Sequence, residues 1–277
     1  MMNGRTVEYN NRSLSLPAFF MQSVRELVFF KYALGYLVVN SLRTRYRRSY
    51  LGFFWGLVSP LLMMVVVSVV FSTLWKMSFR DFGIYVFSGL LPWMFFSNSL
   101  SQGCGALVNA EKFMKKIYVA KLLFPLSIVC TEAINLALSM VCLLALALAL
   151  GAKVGLSLLF LPAAVALLFV FVLGIAMAFS VANVYFRDLP YITQVVLMAL
   201  FYAVPVIYPI DRLPETVQSL LSLNPVYHFI LLFQDCIYRG AIPGLATWGI
   251  CLGFGLLSLA AGMLILNRRD RDLIYRL

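Results

Sequence analysis

Charge is scarce in this chain. Asp, Glu, Lys and Arg together make up 12% of its 277 residues, only 11 of them are acidic, and there is one histidine, His228. That argues against a metal centre or general acid–base site built from clustered titratable groups, because such chemistry needs several of them close together. His228 itself sits beside Asn224-Pro225, where helix packing accounts for it. Five cysteines, at 104, 130, 142, 236 and 251, are an odd number without metal-ligand spacing and lie mostly within apolar stretches, so they read as reduced packing residues. No Gly-x-x-x-x-Gly-Lys-Ser/Thr loop occurs, which excludes nucleotide hydrolysis by the usual phosphate cradle. The first fifty residues lack a free apolar core followed by a small-residue cleavage site, so no signal peptide is expected.

What is present is apolar length. Hydrophobic residues are 62% of the chain and the mean hydropathy is +0.92, against about 45–50% apolar in soluble domains. A water-soluble core is excluded. The net charge of +11 does not indicate nucleic acid, because the basic residues flank apolar spans instead of lining a soluble face. A spanning helix needs about 20 apolar residues, and six stretches qualify: 53–74, 82–108, 122–151, 154–185, 189–208 and 243–266. With the N-terminus inside, the cytoplasmic segments hold 17 of the 22 Lys and Arg, which sets the orientation by the positive-inside rule.

Residues 216–238 tempt a seventh span. An odd span would place Arg268, Arg269, Arg271 and Arg276 outside, and Asn224-Pro225 divides the stretch into two short pieces. The reading is a re-entrant outer hairpin over 214–238, with Asn224, Pro225, Tyr227 and His228 as its gate residues; the alternative is a surface loop with an interfacial helix. The expected fold is an all-α membrane protein: a cytoplasmic tail (1–17), an amphipathic interface helix and linker (18–52), a six-span domain (53–267) and a cytoplasmic tail (268–277). In the interface helix Phe20, Val24, Leu27, Leu34 and Val38 share the apolar face, and Gln22, Arg25, Glu26, Asn40 and Arg43 the polar one.

Four groups of residues are candidates for function. Arg43, Arg45, Arg47 and Arg48 form a headgroup-level cluster suited to lipid-linked phosphate, or simply to anchoring. The connector 109–118 pairs Glu111 with Lys115, sets Lys112 and Lys116 on one face and Phe113 and Ile117 on another; it reads as a short docking helix starting at Asn109, or as a loop held to headgroups. Glu132 is the acid deepest within a span and is a candidate for a bundle interior or aqueous cavity. Aromatics, 15% of residues, include Trp55, Phe95, Phe201, Tyr202 and Tyr208, which either belong to interfacial belts or line a channel for sugars. Arg187 and Asp188 mark a further cytoplasmic connector.

Several stretches together resemble permease subunits of ABC-type polysaccharide exporters, the O-antigen, capsule and teichoic-acid transporters. They are Arg45-Tyr46-Arg47-Arg48-Ser49 followed by Leu51-Gly52-Phe53-Phe54-Trp55 and Pro60-Leu61, then Gly89-Leu90-Leu91-Pro92-Trp93, Lys115-Lys116-Ile117-Tyr118, Phe186-Arg187-Asp188-Leu189, Pro205-Val206-Ile207-Tyr208-Pro209 and Leu223-Asn224-Pro225. The resemblance covers nearly the whole chain in order. It implies an interface helix, six spans, a coupling helix after the second and two re-entrant helices before the sixth. It further implies a homodimer in the bacterial inner membrane, docked to two ATPase subunits that bind ATP and Mg, with a lipid-linked polysaccharide as substrate and no cofactor in this chain. Asn40-Ser41, Val204 and Gln234 depart from the pattern, which weakens transfer of polar contacts at the interface helix and outer gate. Other readings are a small-lipid or drug exporter and, from another class, a lipid-directed transferase, which would need clustered acids or histidines at one membrane face.

Overall fold

The computed structural model describes residues 16–46, 54–149 and 155–276. Every regular element among them is helical. The chain begins with α1 (Leu16–Phe29) and α2 (Lys31–Tyr46), which follow one another with little interruption, and continues through α3 (Trp55–Leu74) and α4 (Phe79–Cys104). Two single-turn helices, α5 (Ala106–Asn109) and α6 (Glu111–Met114), lead to α7 (Leu123–Ala149). Then come α8 (Leu161–Tyr185), α9 (Leu189–Tyr202), α10 (Glu215–Leu221), α11 (Pro225–Gln234) and the long α12 (Leu245–Arg276).

The boundaries have local causes. Ser78 opens α4: its hydroxyl accepts from the Asp81 amide (3.0 Å) and donates to the Asp81 carboxylate (2.7 Å), satisfying a donor that the helix start leaves unpaired. Pro in the first turn starts α8, α9 and α11, where its missing N–H costs nothing. Asn224 caps α11, accepting from the Val226 amide at 3.0 Å.

Three helical stretches are long and apolar enough to cross a membrane, Leu123–Ala145, Leu156–Tyr185 and Leu245–Asp270. A fourth candidate is α10 with α11 and its π-helical extension, bent by 105°. The count from sequence is six, and the difference has physical reasons. The expected span 189–208 is helical only to Tyr202, because Pro205 and Pro209 end it; α9 is about 21 Å long. Helix α4 has the length, but Ser, Asn and Gln dilute its apolar character, and protein surrounds it: most of Phe82 to Cys104 is buried. Helix α3 is 20 residues long and carries Pro60 near its start.

Helix α4 is the centre of the bundle. An aromatic series joins it to three neighbours: Phe201 (α9) to Trp93 at 5.6 Å, Trp93 to Phe96 at 5.6 Å, Phe96 to Phe171 (α8) at 6.1 Å, and Phe171 to Phe229 (α11) at 4.7 Å, the last two stacked. Helices α8 and α12 cross without side chains between them. A methyl group at Gly174 would lie 2.2 Å from the Ser258 carbonyl carbon, and one at Gly262 would lie 2.3 Å from the Gly174 oxygen. Ser258 and Gly262 are spaced as in small-residue membrane helix contacts.

The N-terminal helices correct the expected face. Val38 is buried and Leu27 packs inward, but Phe20 and Val24 are exposed; Phe19 and Ser23 take the inward positions. Helix α1 is apolar on two sides, one against α12 and one outward, and a 3.6-residue period does not distinguish protein from lipid.

Candidate functional site

Arg45 lies in the last turn of α2, and its guanidinium reaches across to the Glu132 carboxylate on α7. Glu132 is 2% exposed. Gln102, near the end of α4, closes the set: its amide donates to Glu132 Oε1 (2.8 Å) and its carbonyl accepts from Arg45 Nη2 (2.8 Å). Asn135, one turn further along α7, donates to Glu132 Oε2 at 3.3 Å. A carboxylate at this depth is costly unless paired and hydrogen-bonded, and here three residues from three helices meet that need. The sequence identified Arg45 and Glu132 separately, as a phosphate ligand and an intramembrane acid; the structure brings them into one ion pair.

Beside the pair is a cavity of about 330 Å³ between α3, α4 and α7. Its polar wall comprises Arg45, Ser59, Asn98, Glu132, Asn135 and Ser139, and its aromatic wall Trp55 and Phe95. Ser139 ties the cavity's edge to α3 by donating to the Gly56 carbonyl (3.3 Å). Among the described residues, Asn135 Oδ1 is buried without a hydrogen-bond partner. Of the aromatics proposed to line a path, Trp55 and Phe95 face this cavity. Phe201 packs on Trp93 in the core, Tyr202 is exposed, and Tyr208 donates to the Tyr202 carbonyl (3.0 Å). Arg43 is exposed on α2, while Arg47 and Arg48 fall outside the described residues.

The connector forms a second group. Glu111 and Lys115 pair at 2.6 Å, and the ammonium holds the carboxyl below its usual range. Asn109, Lys112, Phe113, Lys116 and Ile117 are all exposed. The segment is stitched to both chain ends: Tyr118 donates to Glu26 of α1 (3.1 Å), and Lys121 pairs with Asp270 of α12 (2.7 Å). Arg187 and Asp188 are exposed in the turn before α9.

The elbow between α10 and α11 is a third group. Asn224 Nδ2 reaches the Ala203 carbonyl (3.4 Å), His228 Nε2 lies 2.8 Å from the Ser222 carbonyl, and Tyr227 meets the imidazole edge-on at 5.1 Å. These are packing roles. Gln234 is buried and donates to the Pro205 carbonyl (2.7 Å), and the Tyr85 hydroxyl sits 2.8 and 2.7 Å from the Pro205 and Tyr208 carbonyls. Sequence reasoning missed Tyr85, Gln102, Asn98 and Asn135. The last three had a signal: 94, 95, 98 and 102 on α4, and 132, 135, 136 and 139 on α7, follow helical spacing.

A family model described as ABC-2 type transporter matches residues 32–238, a stretch that includes the ion pair, the cavity, the connector and the elbow. The chain belongs to the ABC-2 type transporter family. It is therefore the membrane part of an ABC transporter, a transport subunit. Among curated proteins it is similar to the O-antigen export system permease protein RfbA of Myxococcus xanthus, 33% identical over 79% of this chain and 85% of that one. A Klebsiella pneumoniae protein of the same name is 26% identical over 86% of this chain and 95% of its own length. The polysialic acid transport protein KpsM of Escherichia coli is 21% identical over 86% and 93%.

Proposed function

We propose that this chain is the membrane-spanning subunit of an ABC exporter that carries lipid-linked O-antigen polysaccharide from the cytoplasm to the periplasm across the bacterial inner membrane. The similarity to O-antigen export permeases over most of their length carries this reading. The similarity to a polysialic acid transport protein favours a second one, export of a capsule polysaccharide.

In this reading α3, α4, α7, α8, α9 and α12 make the six passes, both termini are cytoplasmic, and α10 and α11 form the re-entrant outer elbow. The distribution of Lys and Arg supports that orientation. Two copies enclose the path, and two ATPase subunits bind ATP and Mg. They dock at the connector, whose Phe113 and Ile117 are apolar yet exposed and are flanked by Lys112 and Lys116. The carrier's phosphate is held by Arg43, Arg47 and Arg48, Arg45 being engaged with Glu132, and sugars slide past aromatic faces that bind loosely enough to release them.

The test is genetic and chemical. Cells lacking the chain should lose surface O-antigen while lipid-linked polymer accumulates on the cytoplasmic side, and the chain together with its ATPase should restore export. Restoration of a capsule and not of O-antigen would select the second reading. Restoration of neither would refute both.

A further inference from the structure

We propose that the cavity between α3, α4 and α7 binds one neutral sugar ring, and that Arg45 serves there as the counter-ion of Glu132 and not as a phosphate ligand. The proposal rests on the export reading and gives its substrate a specific place.

Four observations carry it. The first is charge. Among the described residues, the two charged groups of the lining, Arg45 and Glu132, are already in contact and offset each other. A phosphate entering the cavity would come close to the like charge of the 2% exposed Glu132, with the Arg45 charge already matched, which is costly. The second is hydrogen-bonding demand. Among the described residues, Asn135 Oδ1 is a buried acceptor without a donor, and Glu132 Oε2 receives only the 3.3 Å bond from Asn135. A phosphate offers these oxygens no donor when fully ionised, whereas a sugar hydroxyl offers one and accepts from Asn98 or Ser59 with the same oxygen. The third is surface. Trp55 and Phe95 supply flat apolar walls suited to the C–H face of a pyranose, in the same lining as the amides and the acid. The fourth is size. About 330 Å³ falls at the lower end of small-molecule sites, with room for a ring but not for a polymer.

The Arg45, Gln102 and Glu132 set then has a function. Arg45 and Gln102 occupy Oε1 of Glu132 from the side, which leaves Oε2 as the acceptor for an incoming hydroxyl. Asn98 and Asn135 are the residues that distinguish hydroxyl-bearing ligands from anions.

The full chain in nanodiscs prepared without glycosidic detergent is titrated with octyl glucoside, octyl galactoside, octyl mannoside and octyl phosphate, each below its micellar concentration, with empty nanodiscs as blank. Tryptophan fluorescence is read, and Trp55→Phe identifies the part of the signal that comes from the cavity. At least one glycoside should saturate; Asn98→Ala and Asn135→Ala, both checked for unchanged elution and melting temperature, should each weaken it about three- to tenfold; and octyl phosphate should not displace it. No saturation by any of the three glycosides, displacement by octyl phosphate, or unchanged affinity in both folded variants would overturn the proposal. Normal glycoside binding by a chain that exports no polysaccharide would sink the export reading and leave the site standing.

Discussion

Arg45 and Glu132 show what a single residue's setting can do to its meaning. An arginine in a basic, tyrosine-interleaved run reads as a headgroup ligand, yet its guanidinium is directed to a carboxylate 87 positions away in sequence. Arg45→Met should therefore destabilise the chain by roughly 1–3 kcal/mol, because Glu132 keeps its desolvation cost and loses its charge partner. Arg45→Met combined with Glu132→Leu should recover most of that loss. The check is a double-mutant cycle on melting temperature followed by fluorescence-detected size exclusion; purely additive losses would mean that the pair is not coupled. At this scale the sequence announced that Glu132 needed a partner, since an acid within an apolar span is expensive alone. It did not name Arg45, because nothing local links the two. Trp55 and Phe95 were separable from Phe201 only in three dimensions, since aromatics make up 15% of the chain and occur along many of its apolar stretches.

Among the elements, α8 and α12 depend most on the absence of side chains. Gly174→Leu or Gly262→Leu should prevent the crossing and sharply reduce the yield of folded protein, while Gly249→Ala, with open space around it, should behave as wild type in the same assay. At the elbow, Asn224→Ala removes the α11 cap and should cost about 1 kcal/mol, read as a lower melting temperature. In the connector, reversing Lys112 and Lys116 to Glu should depress export and uncouple ATP hydrolysis while leaving the permease folded, because both side chains are exposed; unchanged export would remove the docking role. The helix starts were legible: Asn224-Pro225, Leu189-Pro190 and the connector pairing of Glu111 with Lys115 each appear where propensity and charge spacing put them. The helix ends were less so. Residues 203–208 are apolar enough to extend α9, and the turn they form is held by Tyr85 and Gln234, partners on α4 and α11 that hydropathy does not reveal.

For the whole molecule, the distribution of basic residues predicts that the turn before α9 is cytoplasmic and the loop before α10 is not. Arg187→Cys should react with a membrane-impermeant maleimide only after lysis, and Arg212→Cys in intact spheroplasts; the reverse pattern would invert the proposed topology. Wild type serves as the blank, because Cys104, Cys236 and Cys251 are buried and Cys130 and Cys142 are partly so. Helix α12 gives the assembly a mechanical property. It is one unbroken rod of 32 residues, about 48 Å long. Lys121 grips it near one end, and the bare glycine crossing with α8 pins it near the middle. An unbroken helix is stiff along its length, so a displacement imposed at Asp270 is carried to Leu245 at the other end.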